Sequence, residues 1–178
     1  MKQKLVMIIS SLLMFVGVAA NANDTSMQNT LAGNYQVGGN ASWVKKSNTP
    51  SLFTVNPLAE YFMANGFSLG GTLNYTSDSD NNNTFGVGPS ATWYLWQQER
   101  HAVYAGVGIM YDTSSSGGTN SSTTNFWASD LKVGYNYFFT PSVALGPVYM
   151  WHHQYKNDSS SVTNSDTQSI AVQFSMYL

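Results

Sequence analysis

Cysteine is absent from the 178 residues, and only 9% are charged, with 7 Lys and Arg against 9 Asp and Glu. Without cysteine there is no disulfide framework, no thiolate nucleophile and no cysteine-based zinc site. A net charge of -2, with no basic run longer than Lys45-Lys46, excludes the cationic footprint that nucleic-acid binding requires. Charge is also scarce against the roughly 25% of an ordinary soluble domain. Yet the mean hydropathy is only -0.18, so Ser, Thr, Asn, Gln and Gly have taken the place of charge. Beyond the N-terminus, no run approaches the roughly 18 apolar residues of a spanning helix, and helical spacing of apolar residues is hard to find.

The N-terminus reads as an address. Lys2 and Lys4 precede an apolar stretch from Leu5 to Val16, and Ala20-Asn21-Ala22 offers small residues for cleavage before Asn23. Residues 1 to 22 are therefore expected to be a cleaved signal peptide, residues 23 to 33 a short periplasmic segment, and residues 34 to 178 one β domain. If the exported chain meets a membrane, it does so as strands.

Alternation of apolar and polar residues predicts eight strands, near 34–44, 52–63, 67–76, 84–96, 101–112, 125–138, 143–154 and 167–178. Connections at Ala64-Asn65-Gly66, Gln97 to Arg100 and Phe139 to Ser142 are tight, and Asn65-Gly66 is a strong hairpin signal. Those at 77–83, 113–124 and 155–166 are long and polar, with 45–51 as a shorter fourth. All tight turns thus fall at one end, as in a transmembrane barrel with short periplasmic turns and long extracellular loops.

Strand positions alternate between faces. Odd positions hold Tyr35, Val37, Trp43, Leu69, Val103, Ile109 and Val133, whereas even ones hold Gln36, Asn40, Ser68, Thr72 and Lys132. In the last strand the parity reverses, with Ile170, Val172, Phe174, Met176 and Leu178 apolar. The polar face is small and uncharged, unlike a solvated surface, where about 25 to 35% of residues are charged. It is expected to line a narrow lumen. Outward aromatics recur eight positions apart, as Tyr35 and Trp43, Phe53 and Tyr61, Phe67 and Tyr75, and Phe85 and Trp93. Eight tilted residues rise roughly 20 Å, close to the spacing of two interfacial girdles. Tyr111, Trp127, Tyr137 and Trp151 extend them.

The stretches Pro57-Leu58-Ala59-Glu60-Tyr61-Phe62-Met63-Ala64-Asn65-Gly66-Phe67, Phe85-Gly86-Val87-Gly88-Pro89, and Val133 to Leu145 resemble the small porin-like outer-membrane β-barrel domain family. The resemblance covers essentially all of residues 23 to 178. It implies an eight-stranded barrel in a Gram-negative outer membrane, inserted by the barrel assembly machinery. Such chains usually end in an aromatic residue that the machinery reads; this one ends at Leu178, and Phe174, Met176 and Leu178 are the matching insertion signal. Partners are then outer-membrane lipid and lipopolysaccharide, and the barrel is expected to be monomeric.

Candidate chemistry is sparse. Glu60, Asp112, Asp130 and Lys132 fall on the lumen face, where a charge needs a partner; Glu60 and Asp130 are expected to share Lys132, bracing and obstructing the interior rather than forming a selectivity ring. His152 and His153 are adjacent, so they point to opposite faces near the extracellular rim. A His, Ser and acid hydrolase using Asp112 has no support from the spacing. His101 reads as interfacial. Asp78-Ser79-Asp80-Asn81-Asn82 opens like a calcium loop but has Asn83 and Pro89 where an EF-hand needs Gly and Glu. No cofactor, metal or enzymatic activity is expected. The leading reading is a structural or surface-interaction barrel with a mostly filled lumen; a narrow passive pore is the alternative and a rim enzyme the third. Pro57, Pro89 and Pro147 lie inside strands, where each removes a ladder donor. Gly88-Pro89 and Gly146-Pro147 are expected to be bulges.

Overall fold

The computed structural model describes residues 30–44, 51–80, 82–116, 122–155 and 164–178. The expected signal peptide lies outside the described residues. Eight strands follow one another: β1 (Tyr35–Val44), β2 (Leu52–Ala64), β3 (Phe67–Asp78), β4 (Asn83–Gln98), β5 (His101–Ser115), β6 (Thr123–Thr140), β7 (Val143–Gln154) and β8 (Ser165–Tyr177). Each pairs antiparallel with the next, and β8 pairs with β1, so the barrel is closed. Closure removes the unpaired edges that an open sheet exposes.

Strands outrun their expected ends. β5 and β6 continue as a hairpin through Ser114↔Thr124 and Ser115↔Thr123, which takes up both ends of the predicted 113–124 loop. The 77–83 connection, expected to be long, is a compact turn, because Asp78 organises it. Its Oδ1 accepts from the backbone N–H groups of Asp80 and Asn82 at 2.8 and 2.9 Å, and its Oδ2 from Asn82 Nδ2 at 2.8 Å. These donors, the Asn82 side chain foremost, hold the Asp78 carboxyl below its usual pKa range. The carboxylate is thus committed to its own turn. At the other end, Gly66 alone of the Asn65-Gly66 pair has a positive φ, +72°. A register shift between Phe62 and Ala64 accompanies it, so the hairpin closes through a bulged turn.

The three prolines are not at bulges. β2 keeps one register on either side of Pro57, as β4 does at Pro89 and β7 at Pro147. What lapses is the ladder, and only on one side of each: toward β3, β5 and β6, respectively. On the other sides Gly39↔Pro57, Gly71↔Pro89 and Pro147↔Val172 remain partners. Thr72 Oγ1 donates to the Pro57 carbonyl at 3.2 Å across the first lapse. At Gly88 and Gly146 the neighbouring carbonyls of Ile109 and Tyr135 press so close that a Cβ would overlap them. The Gly-Pro pairs therefore flatten one strand against its neighbour without changing register.

Parity holds along the strands up to the register shifts beside the tight turns, past one of which the even-numbered Trp96 stands exposed. Tyr35, Trp43, Phe53, Tyr75, Phe85, Ile109, Trp127 and Ile170 are exposed, whereas Gln36, Asn40, Glu60, Ser68, Thr92, Asp112, Gln173 and Ser175 are buried inside. Outward rings meet across strands as Tyr35 with Tyr61, Phe67 with Trp93 and Tyr111 with Trp127, at centroid distances of 5.0, 5.0 and 5.2 Å. The first two pairs lie near the tight turns, and Tyr111–Trp127 lies near the long connections with Trp43, Tyr75 and Trp151. Tyr137 packs on Phe139 in the tight-turn belt. Tyr149 opposes Val133 and so falls between the belts.

Candidate functional site

The lumen divides into three levels. At the tight-turn end it is packed solid by Phe62, Tyr94, Tyr104, Phe138 and Tyr177, each at most 4% exposed. Their rings are mutual neighbours; Phe138 and Tyr177, for example, have centroids 5.1 Å apart. Buried phenols usually find partners; Tyr94 and Tyr177 do, whereas the Tyr104 hydroxyl has none among the described residues. Tyr94 and Tyr177 share a hydroxyl contact of 2.6 Å, Tyr94 donates to Gln36 Oε1 at 3.0 Å, and Asn136 Nδ2 donates to the Tyr177 hydroxyl at 3.0 Å. The chain from Thr30 to Gly33 lies over this end, held by the Gly33 N–H on the Phe62 carbonyl and by Thr30 Oγ1 on Gln97 Oε1. Sequence reasoning missed this plug. Its signal was parity: Phe62, Tyr94, Tyr104 and Phe138 are even-numbered aromatics on strands whose even positions face inward, all close to a tight turn.

The middle level holds charge. Glu60 is buried, and its carboxylate accepts from the hydroxyls of Ser68, Ser90 and Thr92 at 2.7, 2.7 and 3.0 Å. Lys132 Nζ stands 3.6 Å from Glu60 Oε1. The stem of Lys132 crosses Gly106, where any Cβ would collide with it. The expected pair is thus present, but Asp130 does not share it. Asp130 and Lys132 are two apart on one strand and extend side by side, whereas His152 is Asp130's register partner on β7. Asp130 Oδ1 meets His152 Nδ1 at 2.6 Å, and His152 Nε2 lies 3.4 Å from Asp112 Oδ2. Asp112 is fully buried, with no hydrogen bond inside the usual limit among the described residues, so the imidazole is its one charge partner there.

Above lies an open cup of about 520 Å³. Its lining includes Asn56, Asn74, Thr76, Asp130, Lys132 and His152. His153 points outward, as alternation requires, with Nδ1 at 2.6 Å from Asp166 Oδ1. His101 is also on the outer face, in contact with the Tyr135 hydroxyl and ring. Phe174, Met176 and Leu178 stand exposed on the outer face of the last strand and C-terminus.

A closed antiparallel eight-stranded up-and-down barrel, apolar and aromatic-banded outside and polar within, is the fold of outer-membrane barrels. No protein-family model matches the chain, and no curated protein does. Solved structures do. The chain is similar to the N-terminal β-barrel domain of Pseudomonas aeruginosa OprF, at 11% identity and a TM-score of 0.58 over 82% of this chain and 98% of that one. It is similar to Neisserial surface protein A at 19% identity and a TM-score of 0.58, covering 80% and 93%. It is similar to Ail, the attachment invasion locus protein of Yersinia pestis, at 12% identity and a TM-score of 0.52, covering 83% and 100%. At these identities the likeness is one of fold.

Proposed function

We propose that this chain is an integral barrel of a Gram-negative outer membrane, with its tight turns in the periplasm and its long connections outside, serving a structural or surface-interaction role. The barrel neighbours support the location, as does the outer face, where Trp43 is 72% and Ile170 75% exposed to whatever surrounds the barrel. Leaving such a face in water is costly; lipid removes that cost. Lipid and lipopolysaccharide are then its surroundings. Phe174, Met176 and Leu178 on β8 serve as the signal read during insertion by the barrel assembly machinery, and the barrel works as a monomer. The signal peptide of residues 1 to 22 is removed on export.

The observation that carries the filled-lumen reading is the plug of Phe62, Tyr94, Tyr104, Phe138 and Tyr177. An ion entering the cup meets the Glu60–Lys132 pair and then closely packed rings. Single-channel recording of the refolded protein in a planar bilayer tests it, with a heat-modifiable gel shift to show that the barrel has formed. A silent folded barrel is expected. Discrete conductance steps would establish the narrow pore instead.

A further inference from the structure

His152 and His153 sit side by side in the chain with opposite chemical prospects. Both ring nitrogens of His152 face carboxylates, Asp130 at 2.6 Å and Asp112 at 3.4 Å, so neither is free to take a proton from a reacting group. His153 differs. Its Nδ1 is held by Asp166 at 2.6 Å, which leaves Nε2 without a partner among the described residues. Register then supplies the third member of a familiar set. On one side of His153 its partner on β8 is Asp166, and on the other its partner on β6 is Ser129. Directly opposed residues have Cβ atoms about 5 Å apart.

A fourth group completes the cluster. The Tyr155 hydroxyl donates to Ser129 Oγ at 3.1 Å, and the Tyr155 ring stands edge-on to His153 with centroids 4.8 Å apart. Because Ser129 accepts that bond, its own proton remains free for a base. Trp151, with its centroid 5.6 Å from the His153 ring, closes the flank. The four polar groups thus occupy one outward patch at the level of the long-connection aromatic belt.

We propose that Ser129, His153 and Asp166 form a serine hydrolase site on the outer wall of the barrel, acting on acyl esters held at the outer-leaflet interface. The substrate class rests on the outer-membrane placement above, since it is that placement which brings lipid esters to the belt. Ser129 is the nucleophile. As its Oγ bonds to the ester carbonyl carbon, its proton passes to His153 Nε2 and the carbonyl electron pair moves onto oxygen. Asp166 positions the imidazole and stabilises its charged form, and Tyr155 turns its hydroxyl to the new oxyanion. Collapse breaks the carbon–oxygen bond to the alcohol, which leaves with the proton from His153. Water repeats the sequence on the acyl-serine, releasing the fatty acid and restoring Ser129.

The full-length mature barrel, folded in detergent micelles and checked by its heat-modifiable shift, would be treated with a fluorophosphonate probe. Separate, untreated portions would be incubated with phosphatidylcholine vesicles and with purified lipopolysaccharide, and fatty acid release read by mass spectrometry. The expected result is labelling at Ser129 and release from one of the two lipids, which identifies the ester's source. Ser129→Ala should abolish both while leaving the gel shift unchanged. His153→Asn should slow labelling at least roughly 100-fold. Asp166→Asn should lower the maximal rate and displace the pH–rate profile with KM held, and Asp166→Glu should restore part of the rate. A folded barrel that is neither labelled at Ser129 nor releases acid from either lipid overturns the proposal. Failure to fold in micelles or bilayers would instead count against the outer-membrane reading.

Discussion

Single side chains in this lumen carry out of proportion to their number, because few of its charges have more than one partner. Asp112 depends on His152, and removing the imidazole leaves a fully buried carboxylate uncompensated. His152→Ala is therefore expected to cost about 3 to 5 kcal/mol, read as a fall in the urea midpoint of the folded barrel. Asp112→Asn in the same chain should recover much of it, since the amide carries no charge to strand. Glu60 is better provided for: three hydroxyls serve its carboxylate beside Lys132. Lys132→Ala should thus destabilise less than His152→Ala, and it should not open the barrel, because the aromatic plug lies below the pair. A conducting, fully folded Lys132→Ala barrel would contradict that order of levels. At Gly66 the demand is conformational. A Cβ there meets nothing closer than 3.5 Å, yet φ is +72°, so Gly66→Ala should cost about 1 to 2 kcal/mol through strain alone.

Among the elements, the strands that contain proline show how a closed barrel tolerates a missing donor. Pro57, Pro89 and Pro147 all face outward and are exposed. Each leaves one ladder intact and lets the other lapse, and none alters the register. Glycine before Pro89 and Pro147 lets the adjacent strand crowd in, which keeps the wall closed where the hydrogen bonds are missing. Gly146→Ala should force β6 and β7 apart at Tyr135, costing about 1 to 3 kcal/mol and accelerating amide exchange at neighbouring β6 positions. Unchanged exchange would mean that the close approach is incidental. The real register shifts lie at the tight turns, between Phe62 and Ala64, Tyr94 and Trp96, and Phe138 and Thr140. There they reorient the chain beside the plug.

For the molecule as a whole, inside and outside have exchanged their usual roles. The exterior is apolar with tyrosine and tryptophan gathered in two belts, and the interior is polar except where aromatic rings seal the tight-turn end. In a bilayer, Trp43, Trp93, Trp127 and Trp151 are expected to be quenched most strongly by lipid-borne quenchers near the headgroups and weakly by those at the midplane. Uniform quenching with depth would mean that the belts do not mark interfaces. The same polarity explains the asymmetric lumen: a cup open toward the long connections, a charged middle, and a hydrophobic floor.

Much of this was written in the order of residues. Eight strands, their faces, the reversed parity of β8 and the clustering of tight turns at one end follow from a period of two, which any pleated strand must obey whatever it packs against. Partnership across the lumen does not follow, because it depends on register, and register is settled by turns, by prolines and by closure of the whole sheet. That is why Asp130, which the sequence alone pairs with Lys132, bonds to His152. It is also why four inward aromatics scattered over β2, β4, β5 and β6 converge with Tyr177 into one plug. Ser129, His153 and Asp166 likewise become neighbours only once three strands align. Periodicity is a local property of the backbone, whereas a site is assembled across strands, and closing the barrel is what brings its members within reach.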